Sequence, residues 1–139
     1  MKTLITLDQL ADALHGTNIA DDLSLSTQII DGEAPVLQIL IESREEFPIY
    51  VTIDDSQILC VSYLWKDQEV IAEKRGELLD TLLTLNLPMP LSSFSKLGNQ
   101  YIIFGALNVN SDIADIVHEI EALSQNTLDA LELLVDYLK

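Results

Sequence analysis

The sequence predicts an α+β fold, an antiparallel sheet of about five to six strands packed with three helices in the order α-β-β-β-β-α-β-β-α. Three observations carry this. Residues 23–65 hold four short apolar or alternating runs separated by turn signals of a few residues, and strands joined so tightly must pair antiparallel. Helical periodicity appears three times: near the N-terminus, over Asp67–Leu85, and from Ile113 to the chain end. Between the last two helices lies Asn86–Asn108, in which Pro88 and Pro90 stop one helix and Gly98-Asn99 turns a hairpin.

In the first helix Thr6 is a cap with Gln9 in the capping-box position, Leu7, Leu10, Ala11 and Leu14 share one face, and Gly16 is the stop. Leu23–Ile29 alternates as a half-buried strand, and Asp31-Gly32-Glu33 turns it into a second strand, Val36–Glu42. Phe47, Ile49, Val51 and Ile53 form one face of a third strand, with Pro48 confined to its start or to an edge. Ile58–Trp65 is apolar on both faces, Ile58, Cys60 and Leu64 against Leu59, Val61, Tyr63 and Trp65, which predicts a helix over part of its second face. Gly76 weakens the helix over Asp67–Leu85, so its first two turns are expected to be loose. Tyr101–Leu107 is a strongly apolar strand whose Gly105 marks a bulge or a close backbone approach, and Phe94, Ile103 and Phe104 are predicted to be mostly buried. Ser111-Asp112 caps a last helix whose apolar residues stay in phase to Leu138, a rod of about 40 Å with a bend expected at Ser124–Thr127.

The 139 residues form one domain by this reading, with no linker, repeat or low-complexity run. The net charge is −16; only Lys2, Arg44, Lys66, Lys74, Arg75, Lys96 and Lys139 are positive. Such a field repels nucleic-acid backbones and anionic membrane surfaces and speeds encounter with a basic partner. The single cysteine, Cys60, excludes an intrachain disulfide. Without a leader-like start or a run of about 20 apolar residues, a soluble cytoplasmic protein with no membrane insertion is expected.

Candidate chemistry is sparse. His15 at a helix end and His118 beside an apolar helix face have no partners at metal or triad spacing, so both read as structural. Cys60, within an apolar strand, reads as a buried inert thiol. The pairs Asp21-Asp22, Glu45-Glu46 and Asp54-Asp55 lack the spaced ligands of a calcium loop and read as solvated turns. No cofactor or metal site is expected. The last helix says more: Asp112, Asp115, Glu119, Glu121, Asp129, Glu132 and Asp136 lie on its polar face, opposed only by Lys139. Like charges four residues apart, Asp115/Glu119 and Glu132/Asp136, cost about 0.2–0.5 kcal/mol each, which apolar burial outweighs. The face is either merely solvated or a docking face for a basic protein segment; the candidate residues are Asp112, Asp115, Glu119, Asp129, Glu132 and Asp136.

Several stretches resemble the YjfI-like family, a bacterial family of unknown function: Glu46–Thr52, Gln57–Cys60, Leu64-Trp65, Pro90–Phe94, Tyr101–Leu107 and Ile113–Ala122. The likeness runs over nearly the whole chain in the same order. It brings no catalytic residues; it implies companionship with phage-shock-protein-A-like membrane-remodelling proteins in envelope stress. The order of elements in a small acidic chain also resembles type III secretion chaperones, dimers that hold partner segments on a sheet and helix surface. Together these favour a non-enzymatic protein-interaction module, chaperone-like or regulatory, with a homodimer or an exposed apolar patch beside the acidic helix. The alternative is a small carboxylate-dependent metal hydrolase, which requires acidic pairs to converge with a histidine in a pocket.

Overall fold

A computed structural model describes residues 5–139. Of the N-terminal stretch Met1–Asp8 in which a leader was looked for, Met1–Leu4, Lys2 included, lie outside the described residues. The elements are α1 (Leu7–Leu14), β1 (Leu25–Ile30), β2 (Val36–Ile41), β3 (Ile49–Ile53), β4 (Ile58–Lys66), α2 (Arg75–Leu85), β5 (Ser93–Leu97), β6 (Gln100–Leu107) and α3 (Ile113–Leu133). The six strands form one antiparallel sheet in the order β1-β2-β3-β4-β6-β5. The fold class is the one the sequence predicts.

Register explains which residues reach the core. Ile29, Leu37, Val51, Cys60 and Gly105 lie opposite one another across five strands, on the face that the helices cover. Leu37, Ile39, Ile41, Ile49, Val51, Ile58, Cys60 and Ile103 of that face are fully buried, together with Leu10 and Leu14 of α1 and Ile116, Ile120 and Leu123 of α3. α1 lies on β1 and β2, α3 lies on β4 and β6, and α1 touches α3. α2 packs Leu78 and Leu82 into the same core, beside Phe94 and Tyr101.

The expected helix over the second face of β4 is absent: the helices take one side of the sheet, leaving Leu59 and Val61 half-buried and Tyr63 half exposed. The strand reads as doubly apolar because the open face is itself apolar. Trp65 also changes sides. A register irregularity between Tyr63 and Lys66 turns it inward, where it packs on Tyr101 with ring centroids 5.9 Å apart.

Both ends of the helical predictions shorten. Residues 67–69 and 72–74 are separate 3-10 turns before α2, and α3 stops at Leu133, about 32 Å long rather than 40 Å. The cause is one contact between the two segments. Val70 and Leu138 form an antiparallel bridge, the Ile71 N–H donates to the Tyr137 carbonyl at 2.8 Å, and the Lys139 N–H donates to the Glu69 carbonyl at 2.9 Å. These bonds replace those that helical continuation would have made. Ser124–Thr127 does not interrupt α3. Its polar side chains make tertiary bonds instead: Arg44 Nη1 donates to Ser124 Oγ (2.9 Å), and Asn126 Nδ2 donates to the Pro90 carbonyl (2.9 Å) and Ser92 Oγ (3.0 Å).

The sheet edges are closed by side chains. On β1 the Thr27 N–H donates to His15 Nδ1 at 3.2 Å, and Leu25 exchanges backbone bonds with Gly16 and Thr17. His15 is thus a structural acceptor for an edge strand. On β5 the Asn86 amide copies a neighbouring strand: its Oδ1 accepts from the Phe94 N–H (2.6 Å) and its Nδ2 donates to the Phe94 carbonyl (3.4 Å).

Candidate protein-binding surfaces

The stretch between α2 and α3 is the joint of the molecule. Gly98, at φ +57°, turns the β5–β6 hairpin. Leu91 takes φ +65° at the centre of a γ-turn, where the Ser92 N–H donates to the Pro90 carbonyl at 2.8 Å. Phe94 and Ile103 are buried as expected, and Phe104 is half-buried on the open face beside Val61. At Gly105 the close approach is real. A Cβ there would collide with Glu119 Oε1, would lie 2.9 Å from Glu119 Cδ, and would lie 3.1 Å from the Leu91 carbonyl oxygen.

Glu119 is therefore not part of an acidic docking face. Its side chain turns inward and the residue is 4% exposed. Helical phase accounts for this, since Ile116, Glu119, Ile120, Leu123 and Thr127 share the inward stripe of α3. Its Oε1 is buried with no hydrogen-bond partner among the described residues. Burial holds the carboxyl pKa above its ordinary value, with the His118 charge pulling the other way. Opposite Gly105 on the sheet lies Cys60, whose thiol is pushed up to about 12 by burial first and by the Glu119 charge second. A thiol reagent at pH 8 is expected to leave Cys60 unmodified in the native protein and to label it fully in denaturant; rapid native labelling would contradict the burial.

The other acidic candidates stay at the surface. Asp112 caps α3, accepting from the Asp115 N–H at 2.9 Å, while the Asp112 N–H donates back to Asp115. Asp129, Glu132 and Asp136 are exposed at the far end, beside exposed Leu133 and Val135. Next to them Leu85, Pro88, Met89, Phe94, Ala130 and Leu133 line a small apolar depression of about 210 Å³. An apolar patch thus adjoins the acidic helix.

The acidic pairs do not converge. Asp54 Oδ1 accepts from the Ser56 N–H, the Ser56 hydroxyl and the Gln57 N–H, and the Ser56 hydroxyl bond contributes most to holding its pKa low. Glu45 accepts from the Ser43 N–H within its own turn, and Asp21 and Asp22 take left-handed backbone in another. Among the described residues no three His, Cys, Asp or Glu side chains are placed to hold a metal ion.

The open face of the sheet carries a surface feature that sequence reasoning did not place. On the open face, Ile30, Val36, Tyr50, Thr52, Leu59, Val61, Tyr63 and Leu97 line one depression of about 320 Å³. They come from five strands, both edge strands included, so the sheet curls around this floor. Tyr50 and Tyr63 form a tilted aromatic pair with centroids 5.4 Å apart. Glu42 and Glu45 line a second depression at one margin with Ser24, Ser26 and Leu40, and the Asp54-Asp55 turn lies at the end of β3. The available signal was that both faces of β4 are apolar.

A chain of the heterodimeric ExoU–SpcU complex from the type III secretion system of Pseudomonas aeruginosa superposes with a TM-score of 0.55. The match covers 96% of this chain and 98% of that one at 13% identity. The protein is an α+β domain that shares the fold of that chain. By sequence it belongs to the family described as "Uncharacterized protein conserved in bacteria (DUF2170)", which matches residues 4–138. The uncharacterized protein YjfI of Escherichia coli K12, and its counterpart in strain O157:H7, are each 29% identical over 109 residues, 68% of this chain and 82% of theirs. The YjfI-like resemblance is borne out. Among the described residues no helix is long and apolar enough to cross a membrane.

Proposed function

We propose that this chain is a non-enzymatic, cytoplasmic protein-interaction module, chaperone-like or regulatory, that holds a polypeptide segment against its open sheet face. The observation that carries this reading is the uncovered apolar floor from Ile30 to Leu97, with Tyr63 50% exposed at its centre. Because His15 and Asn86 occupy the edge strands, the segment lies across the face instead of adding a strand. The margins carry Glu42, Glu45, Asp54 and Asp55 and the lining residues carry no cation, so the segment that fits is basic as well as apolar. The exposed acids of α3 and its two flanks, Asp112, Asp115, Asp129, Glu132 and Asp136, extend the same field and speed encounter. A basic helix of a phage-shock-protein-A-like membrane-remodelling protein, the partner the family resemblance implies in envelope stress, has this chemistry. The fold shared with a chain from a heterodimeric protein complex supports binding of a protein.

Site-specific photo-crosslinking in the native cell tests the reading. A crosslinker at Tyr63 is expected to capture a protein with a basic, apolar segment, and Leu97→Asp in the cell, or irradiation of a lysate brought to about 0.5 M salt, is expected to abolish capture. Equal capture from Gln9 on α1, or capture indifferent to both changes, overturns it.

A further inference from the structure

Resting on the reading of the open sheet face as a protein-binding surface, we propose that the segment held there is a single amphipathic α-helix. It lies along the strands and carries a group of basic residues at each end, the two groups about 18 residues apart. The floor selects the conformation. Ile30 of β1 and Leu97 of β5 line the same depression, so the two edges of the sheet wall a trough. The polar groups lining it are the hydroxyls of Tyr50, Thr52 and Tyr63, and the Tyr50 hydroxyl already accepts from Gln38 Nε2 at 3.4 Å. An extended segment pressed on this floor finds almost no partners for the N–H and C=O groups it turns inward. The strand edges do not offer them either, since His15 holds Thr27 and Asn86 holds Phe94. A helix satisfies its own backbone and presents only side chains.

Charge fixes how the helix lies. Glu42 and Glu45 stand at one end of the strands, in a depression of about 310 Å³ with Ser24, Ser26 and Leu40. Asp54 and Asp55 stand at the other end, in the turn after β3. Backbone N–H groups hold three of these carboxylates in place: Ser24 donates to Glu42 at 3.1 Å, Ser43 to Glu45 at 3.1 Å, and Ser56 to Asp54 at 2.7 Å. Arg44 falls between the two glutamates in sequence but does not neutralise them. Its guanidinium reaches α3 on the helix-covered side, donating to Ser124 Oγ at 2.9 Å and Gln125 Oε1 at 3.4 Å. Two fixed anionic ends with an apolar floor between them fit an apolar stripe with a cationic group at each end. The register sets the span. Val51 pairs with Leu37; Asp54 lies three residues beyond this pair in one direction and Glu42 five residues beyond it in the other, about 26 Å in all along the strands. At about 1.5 Å per residue, a helix covers that distance in about 18 residues, five full turns, so both basic groups stand on the same side of it.

Three fluorescein-labelled synthetic peptides, titrated with the full chain and followed by fluorescence anisotropy, test this. Each has about 22 residues and one stripe of Leu along a helix of Ala and Gln. The first carries two Lys at each end, the pairs about 18 residues apart; the second has the same composition with the pairs about 11 apart, three turns and again on one side. The third is the first with Pro at its centre. The first is expected to bind at least about tenfold tighter than either of the others. Glu42→Gln with Glu45→Gln, or Asp54→Asn with Asp55→Asn, is expected to bring the first peptide to within about threefold of the second. Gln and Asn keep an oxygen that accepts each turn bond, so these variants keep the fold, as thermal unfolding checks. Leu97→Asp is expected to weaken all three, which places them on the floor. Equal binding of the first and second peptides, or a first peptide indifferent to both pairs of substitutions, overturns the end-to-end span, and equal binding of the third overturns the helix. In those cases sensitivity to Leu97→Asp shows that the face still holds a segment. Failure of the first peptide to bind also overturns the proposal, and capture from Tyr63 in the cell then decides separately whether the face holds a protein.

Discussion

Gly105→Ala is expected to destabilise the protein by about 3 kcal/mol, near the upper end for overpacking a core. The added methyl meets two kinds of obstacle. Glu119 is the end of a side chain, but the inward stripe of α3 fixes it; the Leu91 carbonyl, 3.1 Å from the new atom, is backbone held in a γ-turn. Glu119→Ala removes the first obstacle and leaves the second. In a double-mutant cycle, Glu119→Ala is expected to recover most of the Gly105→Ala loss, with a coupling energy of about 1–3 kcal/mol measured by urea unfolding. Strict additivity would show that the glycine does not make room for the carboxyl.

Glu119→Gln is expected to change the pH dependence of stability more than any other single carboxyl substitution in the core. The unfolded chain releases this proton near 4.5, the ordinary value, and the folded protein only at a higher pH. Below 4.5 both states hold the proton and the buried group is neutral. Above 4.5 the unfolded chain loses it first, so the stabilisation drains away as pH rises through the folded value, by about 1.4 kcal/mol per pH unit between the two. The groups facing Glu119 from the sheet, Cys60 and Gly105, supply no positive charge, and His118 on its own helix offsets the effect only in part. Measured from pH 4 to 8, the wild type is expected to lose stability relative to Glu119→Gln as pH increases. Parallel curves would show that the carboxyl is as well solvated folded as unfolded.

Most of the fold was legible because its elements obey one period at a time. The Thr6/Gln9 capping box forms as read, with Gln9 N–H to Thr6 Oγ1 at 3.1 Å, and the strands from Val36 to Leu107 appear within a few residues of expectation. The misses share a physical origin. The helical phase of Val135 and Leu138 continues that of α3, yet backbone bonds to Glu69 and Ile71, more than sixty residues away, decide the conformation there. Local periodicity carries no trace of such a competitor. Glu119 looked like surface because its residue type nearly always is; only Gly105 hinted that something large presses on that strand. The open face was misread for a related reason. Apolar residues on both sides of β4 establish that both sides avoid water, but not which side a helix covers and which is left for another molecule.

The closed edges have a consequence for behaviour in a crowded cell. A sheet that leaves an aromatic and aliphatic surface uncovered is the kind of structure from which fibrils grow, since each edge strand is a template for the next chain. Here the growth direction is capped by His15 at Thr27 on one side and by Asn86 at Phe94 on the other. Sticky surface is separated from extendable surface. The protein is able to stay loaded with unburied apolar residues for as long as it waits, because stacking by its face does not propagate along its strands.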